Sequence, residues 1–142
     1  MENTLTSALN QTVYAGVALR VKALCVDTLV LIIMMMVFSA LFSAFEYVPD
    51  GLRIAAMVFI FLLYDPLFTS FSGATLGQRL FGLRVRKETD TTQKIIFPLA
   101  LIRFLVKATL GWISLLTVQA SAQRKAIHDL LVGSVVVEVR LN

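Results

Sequence analysis

The sequence predicts an all-α membrane protein: two transmembrane helices in a hairpin, a third interfacial or re-entrant helix pair, and a short cytoplasmic pairing of two β-strands. Three observations carry this. The 142 residues are 58% hydrophobic and only 15% charged, with a mean hydropathy of +0.81, whereas an average soluble domain is about a quarter charged. Two apolar runs each reach the roughly 20 residues that cross a hydrocarbon core about 30 Å thick. Lysine and arginine gather in loops that would share one side of a membrane, as loops held in the cytoplasm do.

The elements follow in order. The start, "MENTLTSALNQTVYAGVA", reads as a polar segment leading into a short interfacial helix. The first span covers about residues 23–45, and between Lys22 and Glu46 its only charge is Asp27. This run exceeds the apolar core of a signal peptide, roughly 7 to 15 residues, and no small-x-small cleavage site follows, so it is read as a retained anchor. The acidic "EYVPDG" makes the turn, and the second span, about 54–73, carries Asp65 before Pro66. The third apolar region, about 95–119, differs: Arg103 and Lys107 share one helical face and Gly111 divides it in two. That pattern predicts an amphipathic helix whose charges reach the headgroups, with Trp112 at interfacial depth.

Arg20 and Lys22 precede the first span, and Arg79, Arg84, Arg86, Lys87 and Lys94 follow the second. The N-terminus and the long loop are therefore expected in the cytoplasm. A third full crossing would put Arg124, Lys125 and Arg140 outside, against that bias, so the helix pair is expected to return the tail to the cytoplasm, with a genuine third span and an external tail as the alternative, since the charge rule has exceptions. The glycine-led, β-branched "LFGLRVRK" and "GSVVVEVRL" read as strands that pair with each other, which requires one common side. No repeat or linker divides the chain, and residues 1–142 read as one domain. The net charge of +4 suits topology and anionic lipid, with no basic, aromatic-interleaved surface for nucleic acid.

Charges inside the apolar runs are the candidate functional residues, because a lone charge at the bilayer centre costs on the order of 3 kcal/mol and so pairs, neutralises or lines a cavity. Arg20 and Asp27 lie seven residues apart, on one helical face and separated by about 10 Å along the axis. Asp27 is expected to face protein. Counted out from the turn, Asp27 and Asp65 lie within roughly 8 Å of the same depth. Pro66 removes an amide donor and frees a carbonyl beside Asp65. Two carboxylates, that carbonyl and the hydroxyls of Tyr64, Thr69 or Thr28 would suit a monovalent cation or an exchangeable proton. The competing reading is an ion-pair network that holds the helices together, with Arg20, Arg79 and Arg103 as partners, and a third is contact with another subunit. Asp65, close to a proline and a polar turn, is expected to reach water.

Other motifs exclude more than they assign. "GATLGQRLFGLRV" has neither phosphate-loop nor dinucleotide-loop spacing and reads as a turn with a short helix capped by Thr75. His128 beside Asp129 lacks a nucleophile with its surrounding motif, and a single histidine builds no metal cluster. Asp129 is expected to cap or tether the tail by bonding an arginine from elsewhere. Cys25 is the only cysteine, so no intrachain disulfide and no cysteine-built metal site forms. No enzyme, cofactor or metal is expected.

Together, "LRVKALCVD", "GATLGQRLFGLRV", "LIRFLVK" and "RKAIHDLLVGSVVV", in this order, resemble the RDD family of small bacterial membrane proteins. The resemblance runs from about Ala15 to Val139 and assigns the family's arginine and two aspartates to Arg20, Asp27 and Asp129; Ser134 stands where the family pattern has threonine. It implies a bacterial inner-membrane location and, as reported for some members, sodium or potassium/proton antiport. It also shifts the site toward a cluster of Arg20, Asp27, Asp129 and Arg103 at the cytoplasmic boundary, with Asp65, Tyr64, Thr28, Arg79 and His128 secondary. The implied partners are the bilayer, further copies of the chain or a larger membrane complex, and a monovalent cation or proton.

Overall fold

The computed structural model describes residues 13–45, 47–111 and 113–139. Strand β1 (Val13–Tyr14) leads into the long helix α1 (Val17–Ser43), and a turn returns the chain into α2 (Asp50–Ser72). The short helix α3 (Leu76–Leu80) and strand β2 (Leu83–Lys87) follow, then α4 (Phe97–Leu110), α5 (Ile113–Ala120), α6 (Ile127–Leu131) and β3 (Ser134–Glu138). The architecture is mostly helical, and α1 and α2 are both long and apolar enough to cross a membrane.

Two expectations change here. The sheet has three strands in the order β1-β3-β2, both pairings antiparallel. The predicted pair is present, with Val85 opposite Val136. Val13 and Tyr14 add the third strand, opposite Glu138 and Val137, where an interfacial helix was expected. The physical reason is that β3 has a second edge whose backbone groups need partners. Residues 1–12, Trp112 and Arg140 lie outside the described residues. The first helix also begins earlier than predicted, so that Arg20 and Lys22 are inside it.

One face of the sheet builds the core. Leu83, Val85 and Val136 pack with Ala15, Ala23, Ile95 and Ala100, with Leu19 and Phe81 at the edge. Burying a side chain such as Leu83 contributes about 1.5–3 kcal/mol, and Ala23 lies where Gly77 of the following short helix comes against α1. Helix α2 packs chiefly on α4, where the Phe61 and Phe104 rings meet edge-on at 5.7 Å. The far half of α1 has no buried residue, and Leu29, Ile32, Ile33, Met36, Val37 and Leu41 are exposed. A helix apolar all round is what lipid surroundings demand.

Gly111 breaks the third apolar region as predicted. Its backbone (φ 51°, ψ −128°) is one that side chains other than glycine's resist, and α4 and α5 meet at 107°. Pro66 does not interrupt α2, which continues to Ser72.

Gly77 fixes the seat of α3 on α1. A Cβ there would lie 2.1 Å from the Ala23 carbonyl oxygen and 2.9 Å from the Asp27 carboxyl. Gly77→Ala is therefore expected to destabilise the purified protein by about 1–3 kcal/mol. Gly51→Ala, where nothing lies within 4 Å, should leave stability level or raise it, since alanine favours a helix by about 0.5–1 kcal/mol. Thermal unfolding in detergent checks both signs.

Candidate functional site

Four elements bring polar side chains to one buried locus. On α1 the buried positions are Arg20, Ala23 and Asp27, spaced three and four residues apart on one face. On α2 they are Tyr64, Asp65, Pro66 and Thr69, on α4 Ala100, Arg103 and Phe104, and on α6 His128 and Asp129. Arg20, Asp27, Asp65, Arg103 and Asp129 are each less than a tenth exposed.

Asp129 is the centre of a clamp. Arg20 Nη1 donates to its Oδ2 at 2.5 Å, and Arg103 Nε donates to its Oδ1 at 2.9 Å. The Ala126 amide also donates to Oδ2, at 3.3 Å, and the Ser134 hydroxyl reaches Oδ1 at 3.4 Å. The tether expected of Asp129 is thus present, and Ser134 keeps the hydroxyl its position calls for. Arg20 spends its other donors on Ala15 O at 3.3 Å and Arg124 O at 2.7 Å. Burial alone would raise the Asp129 carboxyl, but the guanidiniums of Arg103 and Arg20 hold it well below the usual carboxylate range.

Asp27 is not part of that clamp. It makes no salt bridge among the described residues; Arg20, its expected partner, turns to Asp129 instead. Its Oδ1 accepts from the Tyr64 hydroxyl at 2.8 Å and the Gly77 amide at 2.7 Å, and its Oδ2 from the Thr75 hydroxyl at 2.6 Å. The physical reason is distance: about 10 Å of helix axis separates it from Arg20, while α3 sits directly against it. An ionised carboxylate offers about four lone-pair sites, so three neutral donors leave one open.

Asp65 is buried, contrary to the expectation that it reaches water, because α4 lies across α2 at its level. Lys107 Nζ donates to Oδ2 at 2.7 Å, Thr69 to Oδ1 at 3.1 Å, and Arg103 Nη1 stands 3.6 Å from Oδ1. Arg103 and Lys107 therefore turn inward, away from the headgroup role predicted for them; Lys107 keeps 23% of its side chain exposed, against 2% for Arg103. The reason is that two carboxylates face α4 from α2 and α6. Arg103 Nη1 is buried without a hydrogen-bond partner.

The secondary residues divide. Tyr64 is in the site. Thr28 bonds its own helix at Leu24 O, 2.9 Å away, and reaches only the cavity rim. Arg79 is exposed and makes no salt bridge among the described residues, because Gly77 and Gln78 supply the face of α3 that turns inward. His128 is buried with Nδ1 2.6 Å from the Ser114 hydroxyl and Nε2 3.5 Å from Asp129 Oδ1. Burial pushes its imidazole down to about 3, against the pull of Asp129, so the ring is neutral and the contact with Asp129 is no ion pair. Sequence reasoning missed Thr75 as an Asp27 partner, Gly77 and Ser114. "GATLGQ" held the signal for the first two, a hydroxyl and a glycine at a tight turn; "ISLL" carries none for Ser114.

A cavity of about 220 Å³ opens between α1, α2 and the α4–α5 bend. Asp27, Tyr64, Asp65, Arg103 and Lys107 line it together with Phe61 and Leu31. Among the described residues no three His, Cys, Asp or Glu side chains group to hold a metal ion.

Two apolar helices of spanning length, with charges buried where they meet the rest of the chain, define a small helical membrane protein. The chain belongs to the RDD family: the family model matches residues 14–133. No curated protein and no solved structure matches it.

Breaking a buried ion pair costs about 3–5 kcal/mol, so Asp129→Asn, which strips two arginines of their partner, should abolish the folded protein or lower its stability by that order. Lys107→Gln, at a partly exposed pair, should cost less than about 2 kcal/mol; thermal unfolding in detergent ranks the two. The His128 ring binds its proton near pH 6.5 when unfolded and near 3 when folded. Its stabilising contribution is therefore complete above pH 6.5 and lost as pH falls from there toward 3. Unfolding between pH 7.5 and 5 should show the wild type losing up to about 1.4 kcal/mol per pH unit below 6.5, with His128→Asn flat.

Proposed function

We propose that this chain is a multi-pass protein of a bacterial inner membrane that assembles with copies of itself and exchanges a monovalent cation for protons at Asp27. The observation that carries the reading is the contrast among three buried carboxylates. Asp129 and Asp65 have guanidinium or ammonium partners, whereas Asp27 has only neutral donors and faces the cavity. A buried carboxylate without a cationic partner leaves a negative charge for a small cation to balance.

The topology proposed with it has the N-terminus and C-terminus in the cytoplasm and α4–α5 as a re-entrant or interfacial pair. The three-stranded sheet supports this, since β1, β2 and β3 must share one side of the bilayer while α1 and α2 cross it twice. One copy has too few helices to enclose a path, and the exposed apolar face of α1 is available for a second copy.

A second reading is a non-catalytic accessory or structural subunit of a larger membrane complex. The saturated Asp129 clamp favours it, because a carboxylate held by two arginines serves folding rather than turnover. No enzymatic step belongs to either reading.

Asp27→Asn should abolish the sodium- or potassium-driven collapse of a pH gradient in everted vesicles while protein levels hold, with at least a tenfold loss of exchange. Unchanged exchange would remove the first reading. Purification of the tagged protein in mild detergent, followed by mass measurement, then separates a self-assembly from a complex with an unrelated stoichiometric partner.

A further inference from the structure

Strand β2 turns Leu83 and Val85 into the core and Arg84 and Arg86 to its opposite face. Neither arginine makes a salt bridge among the described residues, and neither does Arg79 at the end of α3. The two strand arginines donate only to carbonyls of their own strand, Leu83 O and Val85 O, each at 3.3 Å. The acids nearest in sequence after β2 are engaged elsewhere: Glu88 pairs with Lys125, and Asp90 accepts from the Thr92 amide and hydroxyl. Burial, then the charge of Arg79, lowers the Arg84 guanidinium, and burial, then Arg84, lowers that of Arg86. Arg84 and Arg86 thus share one face of β2, with Arg79 on the short helix that leads into that strand, and among the described residues none of the three has a side-chain anion.

Their position is at the end of α2. The Arg86 guanidinium lies against the backbone of Gly73, where a Cβ would meet its Nη1 at 2.1 Å. Lys94 Nζ donates to Phe71 O at 2.7 Å, on the last turn of the same helix. Phe71 on the last turn of α2 and Leu76 and Leu80 on α3 are exposed, Phe71 by 75% and Leu80 by 65%. Cations without a side-chain anion among the described residues, in the same short stretch of chain as these exposed apolar side chains and at the point where an apolar helix ends, are complementary to one kind of molecule: a negative headgroup on an acyl chain.

We infer that Arg79, Arg84 and Arg86 form a headgroup site for an anionic phospholipid, the phosphodiester lying among the arginines and an acyl chain along Phe71, Leu76 and Leu80. The site lies apart from the Asp27 cavity and stands whether or not the chain exchanges ions. Arginine suits it, since the planar fork meets two phosphate oxygens at once.

The test reconstitutes the full chain into nanodiscs of phosphatidylglycerol and phosphatidylcholine in equal parts, then measures by mass spectrometry the lipid retained after detergent extraction. The wild type should retain phosphatidylglycerol preferentially. Arg84→Gln should weaken that preference about fivefold at low salt, and Arg79→Gln and Arg86→Gln similarly. Lys22→Gln removes the same charge from an exposed position on α1 and should leave the preference intact, while Arg84→Lys should restore part of it. Equal losses in Lys22→Gln and Arg84→Gln would mean bulk charge and no site, and overturn the inference. So would an unchanged preference in all three arginine variants, each of which is read singly so that no combined variant has to fold.

Discussion

A carboxylate with no exposed surface must be neutralised where it stands, and the way Asp129 meets that demand organises the molecule. Its two guanidiniums come from the first turn of α1 and the middle of α4, so a single side chain ties together segments 109 and 26 residues away. The same Arg20 then holds the carbonyls of Ala15 and Arg124, and Arg124 donates to Tyr14 O at 3.1 Å. Strand β1, the loop before α6 and the root of α1 thus share one network. Geometry specific to arginine makes this feasible, because its fork serves several acceptors while the charge stays fixed. A buried network of this kind is weak evidence for stability compared with an apolar core of equal volume, but removing any one member leaves an unmatched charge.

The three buried carboxylates illustrate how neighbours, more than depth, decide chemistry. Asp129 is saturated by arginines. Asp65 has a lysine on a flexible stem that still touches the surface, with an arginine nitrogen close by. Asp27 is held by two hydroxyls and an amide, donors that position it without cancelling its charge. The resemblance that singled out Arg20, Asp27 and Asp129 treated them alike, yet the structure separates them: Arg20 and Asp129 bind each other, and Asp27 faces a cavity with Tyr64.

Much of this was legible in the sequence. Apolar length marked α1 and α2, glycine marked the break at Gly111, and β-branched runs after Gly82 and Gly133 marked two strands that pair. That Asp27 faces protein followed from the cost of isolated charge, and that Asp129 bonds a distant arginine followed from finding no catalytic motif around His128 and Asp129. What escaped was direction. Arg103 and Lys107 share a helical face, but periodicity says which residues lie together and not whether that face meets lipid or two carboxylates from other helices. The burial of Asp65 and the redirection of Arg20 depend on how α4 and α6 pack, which is set by contacts far apart in sequence. Two residues of β1 are too short a run for any pattern to announce, and they form a strand only because β3 offers an edge.

Helix α1 is 27 residues long, about 40 Å at 1.5 Å per residue, and all its buried positions fall between Arg20 and Asp27. Its buried contacts gather at that end, where the Asp129 clamp holds Arg20 and where α3 seats Gly77 against Ala23 and Asp27. A bilayer of different hydrocarbon thickness is met most cheaply by a change of tilt at the lipid-facing end, away from the charge network. Because the 220 Å³ cavity lies at the held end of α1, a change in bilayer thickness taken up by the lipid-facing length of the helix leaves the surroundings of Asp27 in place.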